Sequence, residues 1–365
     1  MKLDWIQGLR GVAVLLVVLT HGRIFLEGTA DAALANAVFL PGAMGVDLFF
    51  LISGFIMLYT TRHAAGAREA LQFAIKRFAR IWPAFAVVTV LFIFVRDENA
   101  SFFRDGQNLR ALARTLAFVP VQGGVAPFFN QTFPLGWTLV FEMYFYIVFG
   151  LSMLAGRLRW LALAAWTAFS LVALPAMLPG AVPLYLQVVT HPIVYEFLAG
   201  VLIGMLYLSP RIRFPSTAVA WQAVVCTSGF ALWYAWSGNS SGHGPQGYGW
   251  PLAMMLCSLA LASKTVTLTV PRGLLWIGTV SYSMYLTHFL VQSWLTHWLE
   301  QHGMPFRNWN LVFLMLLLAI PVASLSHVLL ERHLGEWVRK LLMRAAGEKL
   351  AQPDAHVIKM PKVAP

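Results

Sequence analysis

The sequence predicts an all-α, polytopic integral membrane protein: a helical bundle of about ten transmembrane helices with both termini cytoplasmic. Three observations carry this. Of 365 residues, 59% are hydrophobic and only 11% charged, with a mean hydropathy of +0.68, a balance foreign to soluble domains. Apolar stretches recur along nearly the whole chain, each close to the roughly 20 residues a helix needs to cross a hydrocarbon core of about 30 Å. Lys and Arg mostly separate these stretches. The net charge of +11 therefore reads as membrane topology, with lipids as neighbours; there is no basic groove with aromatic platforms, and no nucleic-acid partner is expected.

In order, hydropathy places spans at roughly 9–26, 42–61, 81–96, 135–155, 160–178, 184–208, 217–237, 248–263, 273–297 and 309–331. With the N-terminus inside, 20 of the 26 Lys and Arg residues fall on the inner side, leaving Arg23, Arg96, Arg104, Arg110, Arg114 and Arg307 outside. This asymmetry satisfies the positive-inside rule. Residues 109–119 are too few to cross, carry Arg110 and Arg114, and read as an interfacial helix. Segments 121–127 and 237–249, rich in Gly, Pro and Ser, read as outer loops, either gating and binding an acceptor or simply connecting. Residues 3–331 form the membrane domain, and 332–365 a cytoplasmic basic tail that reads as disordered after Gly347.

The N-terminus has two features of a signal peptide, Lys2 ahead of an apolar run and an Ala-Leu-Ala triplet at 33–35. His21, Arg23, Glu27 and Asp31 separate it from the end of the apolar run, whereas cleavage follows that run closely, so the first span is expected to be retained. Cys226 and Cys257 both lie in spans, which leaves no disulfide framework or Cys-rich metal site. No metal is assigned.

Ionisable residues inside spans cost several kcal/mol unless paired or wetted, and so mark functional sites. His21 lies roughly 18 Å from the inner end of its span and Glu142 roughly 10 Å from the outer end of its own, the same level in a core of about 30 Å. His288 reaches a similar depth and Asp47 lies near the outer end of the second span; with Tyr282 and Tyr285 they are candidates for one wet cavity. A neutral imidazole beside a carboxylate suits general-base catalysis, which makes His21 and Glu142 the candidate catalytic pair. The competing readings are interhelical hydrogen bonds for His21, His288 and Glu142, and a cap or Arg partner for Asp47.

Arg77 and Arg80 are three apart and share a helix face, with Lys76 and Arg10 at the same inner level. Together they make a phosphate-sized positive site, to which arginine brings a planar, bidentate fork. The alternative is contact with lipid headgroups.

Five segments in order resemble the acyltransferase-3 family of integral membrane acyltransferases: the opening residues 3–11 continuing to His21, Gly-Val-Asp-Leu-Phe-Phe-Leu-Ile-Ser-Gly at 45–54, Lys-Arg-Phe-Ala-Arg-Ile-Trp-Pro at 76–83, the Trp-Thr-Leu-Val-Phe-Glu block ending at Glu142, and Ser-Tyr-Ser-Met-Tyr-Leu-Thr-His at 281–288. The resemblance implies transfer of an acyl group, most often acetyl, from cytoplasmic acyl-CoA to a sugar hydroxyl, with His21 as base and Arg77 and Arg80 on the donor. It implies acetyl-CoA or another acyl-CoA as co-substrate and no bound cofactor. The acceptor would be a carbohydrate, free or lipid-linked, and the location the bacterial inner membrane. A single Glu142 followed by Met143, where many members show Glu-Glu-Gln, is closer to the exopolysaccharide acetyltransferase subgroup, and the C-terminal hydrolase-like domain of some members is not seen. The rival class is a lipid-linked glycan flippase or transporter, in which the same buried polar residues would line a pathway.

Overall fold

The computed structural model describes residues 3–96, 99–121, 126–178, 182–238, 240, 242–304 and 307–348, and all regular structure among them is helical. The chain opens with α1 (Asp4–Gly22), the short α2 (Ala32–Phe39) and α3 (Gly45–Thr61). The longest α-helix, α4 (Ala67–Val95), is followed by the small α5 (Asn99–Phe102) and α6 (Gly106–Leu116). Then come α7 (Gly136–Leu154), α8 (Arg159–Ala168), α9 (Leu174–Met177), α10 (Leu184–Thr190) and α11 (Val194–Leu208). The last third holds α12 (Thr217–Trp236), α13 (Trp250–Ala262), α14 (Arg272–Thr279), α15 (Ser281–Gln301), α16 (Trp309–Ser326) and α17 (Gly335–Ala345).

Among the described residues, eight helical segments are long and apolar enough to cross a membrane, or nine when the bent pair α14–α15 counts as one. That pair turns by 75°, so the expected span 273–297 is broken at Val280. The expected span 248–263 forms as α13, only 13 residues long, or about 20 Å at 1.5 Å per residue. Gly247, whose φ and ψ of −96° and −115° are not helical, stops that helix from extending backward.

α1, α4 and α15 begin, and α3 and α7 finish, at one end of the bundle. Arg62, Arg68, Arg157 and Arg159 lie there, and it is called the basic end below; the other is the far end. α4 starts fourteen residues before the expected span, because Ala70, Phe73 and Ile75 extend the buried stripe toward the basic end. Arg77 and Arg80 consequently sit inside a helix rather than ahead of one. Pro83 cannot donate to the Ala79 carbonyl four residues back, and α17 packs there, with a Cβ built on Gly335 falling 2.9 Å from Ala79 O.

Small residues set the closest approaches. A Cβ on Gly54 would lie 1.9 Å from Phe197 O, and one on Gly200 2.0 Å from Leu51 O, so α3 and α11 touch backbone to backbone. The interior is aromatic, with Phe55, Phe85, Phe133, Phe141 and Phe197 fully buried, while Leu151, Leu161, Val172, Leu202 and Leu317 face outward. An apolar exterior around a partly polar interior is what a hydrocarbon solvent demands.

The expected interfacial helix is α6. It buries Leu112 and Thr115 and leaves Arg110 and Arg114 exposed; Asp105 caps it by accepting from Gln107 N, and Trp82 of α4 donates to Leu116 O at 2.9 Å. Most of the expected loop 121–127 lies outside the described residues, as does everything after 348. Arg159, expected in a basic-end loop, is only 4% exposed. It donates to Thr61 O at 2.8 Å and to Ala64 O, and lies 3.8 Å from the Trp160 ring centroid, tying α8 to the α3–α4 turn.

Candidate functional site

Arg10 and His21 are eleven residues apart on α1, close to three full turns, so they share one face with about 17 Å between them. That face meets α15. Each residue belongs to a different part of the interior.

Arg10 faces a narrow cavity of about 80 Å³, whose walls also hold Arg77, Arg80, Glu142, Tyr146, Tyr282 and Tyr285. Three guanidinium groups against one carboxylate give its lining a net positive charge. Arg10 donates to Gln7 Oε1 at 3.0 Å, and Arg77 lies 5.3 Å and 5.4 Å from the Tyr146 and Phe73 ring centroids. Apolar and aromatic faces thus hold the guanidinium of Arg77 in place. Glu142 accepts from Ser53 Oγ at 3.3 Å and from Tyr146 one turn on. Tyr282 donates to Ile81 O at 2.7 Å, and the Tyr285 hydroxyl lies 2.8 Å from Thr138 Oγ1.

His21 adjoins His288. The His288 Nε2 atom is 3.4 Å from His21 Nδ1, while His21 Nδ1 lies 2.9 Å from Val17 O and His288 Nδ1 3.0 Å from Met284 O. With the proton on Nδ1 of both rings, the single His21 N–H goes chiefly to Val17 O at 2.9 Å and only as a longer second branch to His288 Nε2 at 3.4 Å, and His21 Nε2 keeps its lone pair. His288 is fully buried and His21 partly accessible. One ring can meet a substrate; the other can only orient.

The expected residues divide into three groups. Arg10, Arg77, Arg80, Glu142, Tyr282 and Tyr285 share the basic-end cavity. His21 and His288 form a separate pair at the next level, with Tyr285 between the groups, its ring 6.0 Å from that of His288. No hydrogen bond joins Glu142 to His21 among the described residues; the side chain beside His21 Nδ1 is the His288 imidazole, not that carboxylate. Asp47 lines neither cavity. It is fully buried, accepting from His243 Nδ1 at 2.7 Å and Gly244 N at 2.9 Å, and so anchors the 242–249 segment.

Several residues escaped the sequence reading. Glu331, at the edge of the last expected span, accepts from Ser283 at 3.1 Å and meets His327 at 2.6 Å, and its charge reaches Arg10. Tyr146 stands four residues from Glu142, an i,i+4 spacing that could have revealed it. Glu196, beside Asp47, lies inside the expected span 184–208 and could have been found as an ionisable residue within a span, whereas His243, in the expected loop 237–249, carried no such signal. Among the described residues no group of three or more His, Cys, Asp or Glu is placed to hold a metal ion.

The acyltransferase domain family matches residues 3–328, which include every residue just described except Glu331. The chain is 32% identical over 260 residues to the exopolysaccharide production protein ExoZ of Rhizobium meliloti, covering 68% of this chain and 76% of that one. It is 28% identical over 356 residues to the protein named membrane-bound transacylase BcsY of Komagataeibacter xylinus, covering 90% and 81%. The peptidoglycan O-acetyltransferase OatA of Listeria monocytogenes is 24% identical over 333 residues, 81% of this chain and 50% of that protein. No solved structure matches. The chain belongs to the acyltransferase-3 family and is a multi-pass membrane acyltransferase.

Proposed function

We propose that this protein moves an acyl group, acetyl in the simplest case, from acyl-CoA to a sugar hydroxyl of an exopolysaccharide or its lipid-linked precursor. The observation that carries the reading is the alignment on α1 of an arginine-lined anion cavity with a histidine about three turns further on. The basic end faces the cytoplasm, where acyl-CoA is available. Its phosphates dock on Arg10, Arg77 and Arg80; its thin pantetheine arm follows the narrow cavity past Tyr285 and brings the thioester to His21. Glu142 offsets part of the arginine charge and fixes Tyr146.

The acceptor hydroxyl loses its proton to His21 Nε2 as its oxygen bonds to the thioester carbonyl carbon. The C–S bond then breaks, and the CoA thiolate takes the proton back from the imidazolium, leaving ester, free thiol and neutral histidine. His288 holds the Nδ1–H tautomer that this step needs. The carbohydrate acceptor follows from the relatives' names, exopolysaccharide production in one and peptidoglycan O-acetylation in another.

The test is the acetyl content of surface polysaccharide, read by proton NMR, in a deletion strain carrying the wild-type chain, His21→Ala, or Arg77→Ala with Arg80→Ala at matched membrane levels. Acetyl signals restored by the wild type alone support the assignment. Full restoration by the variants removes the site, and export that depends on the gene while acetylation does not would favour a flippase.

A further inference from the structure

One face of α15 runs past the whole reaction path. Tyr282 and Tyr285 border the donor cavity, His288 touches His21, and Phe289, Gln292, Thr296 and Glu300 border a second cavity toward the far end. Their spacing of three and four residues is that of a single helical stripe. The far cavity is open and measures about 470 Å³, within the range of small-molecule sites.

Its floor is apolar and adjoins the histidine pair. Phe289 and Phe92 lie there with ring centroids 5.6 Å apart, and the Phe289 ring is 5.7 Å from that of His21. Ile24, one turn beyond His21, completes it. The wall is polar. Gln292 lines the cavity and is 5% exposed, with its Oε1 atom buried and without a hydrogen-bond partner, an unmet cost that a small turn of the amide toward a ligand would relieve. Ser293 and Thr296 add hydroxyls, and Arg96 and Glu300 stand exposed at the rim.

These groups select a class of ligand. Aromatic rings under a rim of amide, hydroxyl, carboxylate and guanidinium groups match a polyhydroxylated ring, whose C–H face is apolar and whose edge both donates and accepts. The site contrasts with the donor cavity, where three arginines converge: here one arginine shares the rim with a carboxylate, a poor host for a second polyphosphate.

We propose that the far-end cavity is the acceptor subsite, holding one sugar residue so that one hydroxyl bonds the Gln292 amide while another points past Phe289 to His21. This rests on the acyl-transfer reading. Donor and acceptor then enter from opposite ends and meet at His21, with His288 behind it.

The experiment uses the full-length protein in nanodiscs, acetyl-CoA, and alkali-deacetylated exopolysaccharide from the host as acceptor. Gln292→Leu should raise the polysaccharide KM about tenfold, the loss of one buried hydrogen bond, while the acetyl-CoA KM stays within twofold. Thr296→Trp, which fills the cavity, should stop transfer yet leave binding of tritiated acetyl-CoA intact. An unchanged polysaccharide KM in Gln292→Leu, or transfer by Thr296→Trp at the wild-type rate, overturns the subsite while the acyltransferase stands. A wild-type protein that acetylates neither this polysaccharide nor the lipid-linked precursor extracted from the host brings down the acyl-transfer reading and the subsite with it.

Discussion

His288 Nε2 stands 3.4 Å from His21 Nδ1, and each ring turns its own Nδ1 toward a carbonyl one turn back on its helix. The two backbone carbonyls favour a proton on both Nδ1 atoms, which leaves Nε2 of the fully buried His288 facing His21 and Nε2 of His21 with a lone pair for the role of base proposed above. A neutral imidazole so placed lies toward one end of a chain of contacts that begins at Tyr285. In the proposed mechanism the second histidine takes the place that a carboxylate has in a serine hydrolase triad.

Removing His288 should therefore lower kcat and spare donor binding. We expect His288→Ala to reduce kcat about 10- to 100-fold with an acetyl-CoA KM within twofold, and His288→Gln, whose amide oxygen can accept from His21, to recover part of the loss. Initial-rate kinetics across pH should show the rate falling on the acid side in the wild type, since a protonated His21 cannot act as base. Equal KM and kcat losses in both variants would mark His288 as structural only.

The arginine cavity predicts the opposite split. Arg77→Ala or Arg80→Ala should raise the acetyl-CoA KM roughly 10- to 100-fold, the worth of one charge-assisted hydrogen bond of about 1.5–3 kcal/mol. S-acetylpantetheine, which lacks the nucleotide phosphates, should be used equally poorly by wild type and variants. Sensitivity of that truncated donor to the arginine changes would place the phosphates elsewhere.

The contact between α3 and α11 leaves no room for a methyl group. Gly54→Ala and Gly200→Ala should each cost about 1–3 kcal/mol, as overpacking does, because the new Cβ would sit within 2.0 Å of a facing carbonyl oxygen. Gly229, on α12 with nothing near its Cβ position, is the control. Thermal unfolding in detergent, followed by tryptophan fluorescence, should show a lowered Tm for the first two alone.

Asp47 should behave as an anchor for the 242–249 segment. Asp47→Asn loses the charge behind its bonds to His243 and Gly244, about 1–3 kcal/mol, and hydrogen exchange across 242–249 should accelerate with little change elsewhere. Uniform exchange across the molecule would point to a global role instead.

At the basic end, Gln72 and then Arg68 hold the Glu348 carboxyl below its ordinary range. A carboxylate shifted that way stabilises the docked state at neutral pH, and the contribution is lost as pH falls through its lowered folded value. Glu348→Gln should mimic the acidic state at pH 7.5, seen as faster tryptic cleavage after Arg344. Equal cleavage in the two proteins would show that Glu348 does not restrain the segment.

The residues that fold this chain are local in their logic, which is why the sequence shows them. A helix spanning hydrocarbon must satisfy its backbone within itself and present apolar side chains, so hydropathy alone located α1, α3, α4, α7, α11, α12 and α16 to within part of their length. It missed where helices break, at Val280 and before Trp250, because a break depends on a few dihedral angles and on neighbours that fill the gap. The same locality gathered Arg77 and Arg80, three residues apart on one helix. The choice of partner lay beyond it: counting along the spans puts Glu142 and His288 level with His21, yet packing sets Glu142 in the arginine cavity and only His288 against His21, because hydropathy records neither the offset of one helix against another nor its rotation. Asp47 met His243 across 196 positions for the same reason. Periodicity in a single chain records which side of a helix is apolar, whereas which helices face one another is decided only when their side chains and backbones pack.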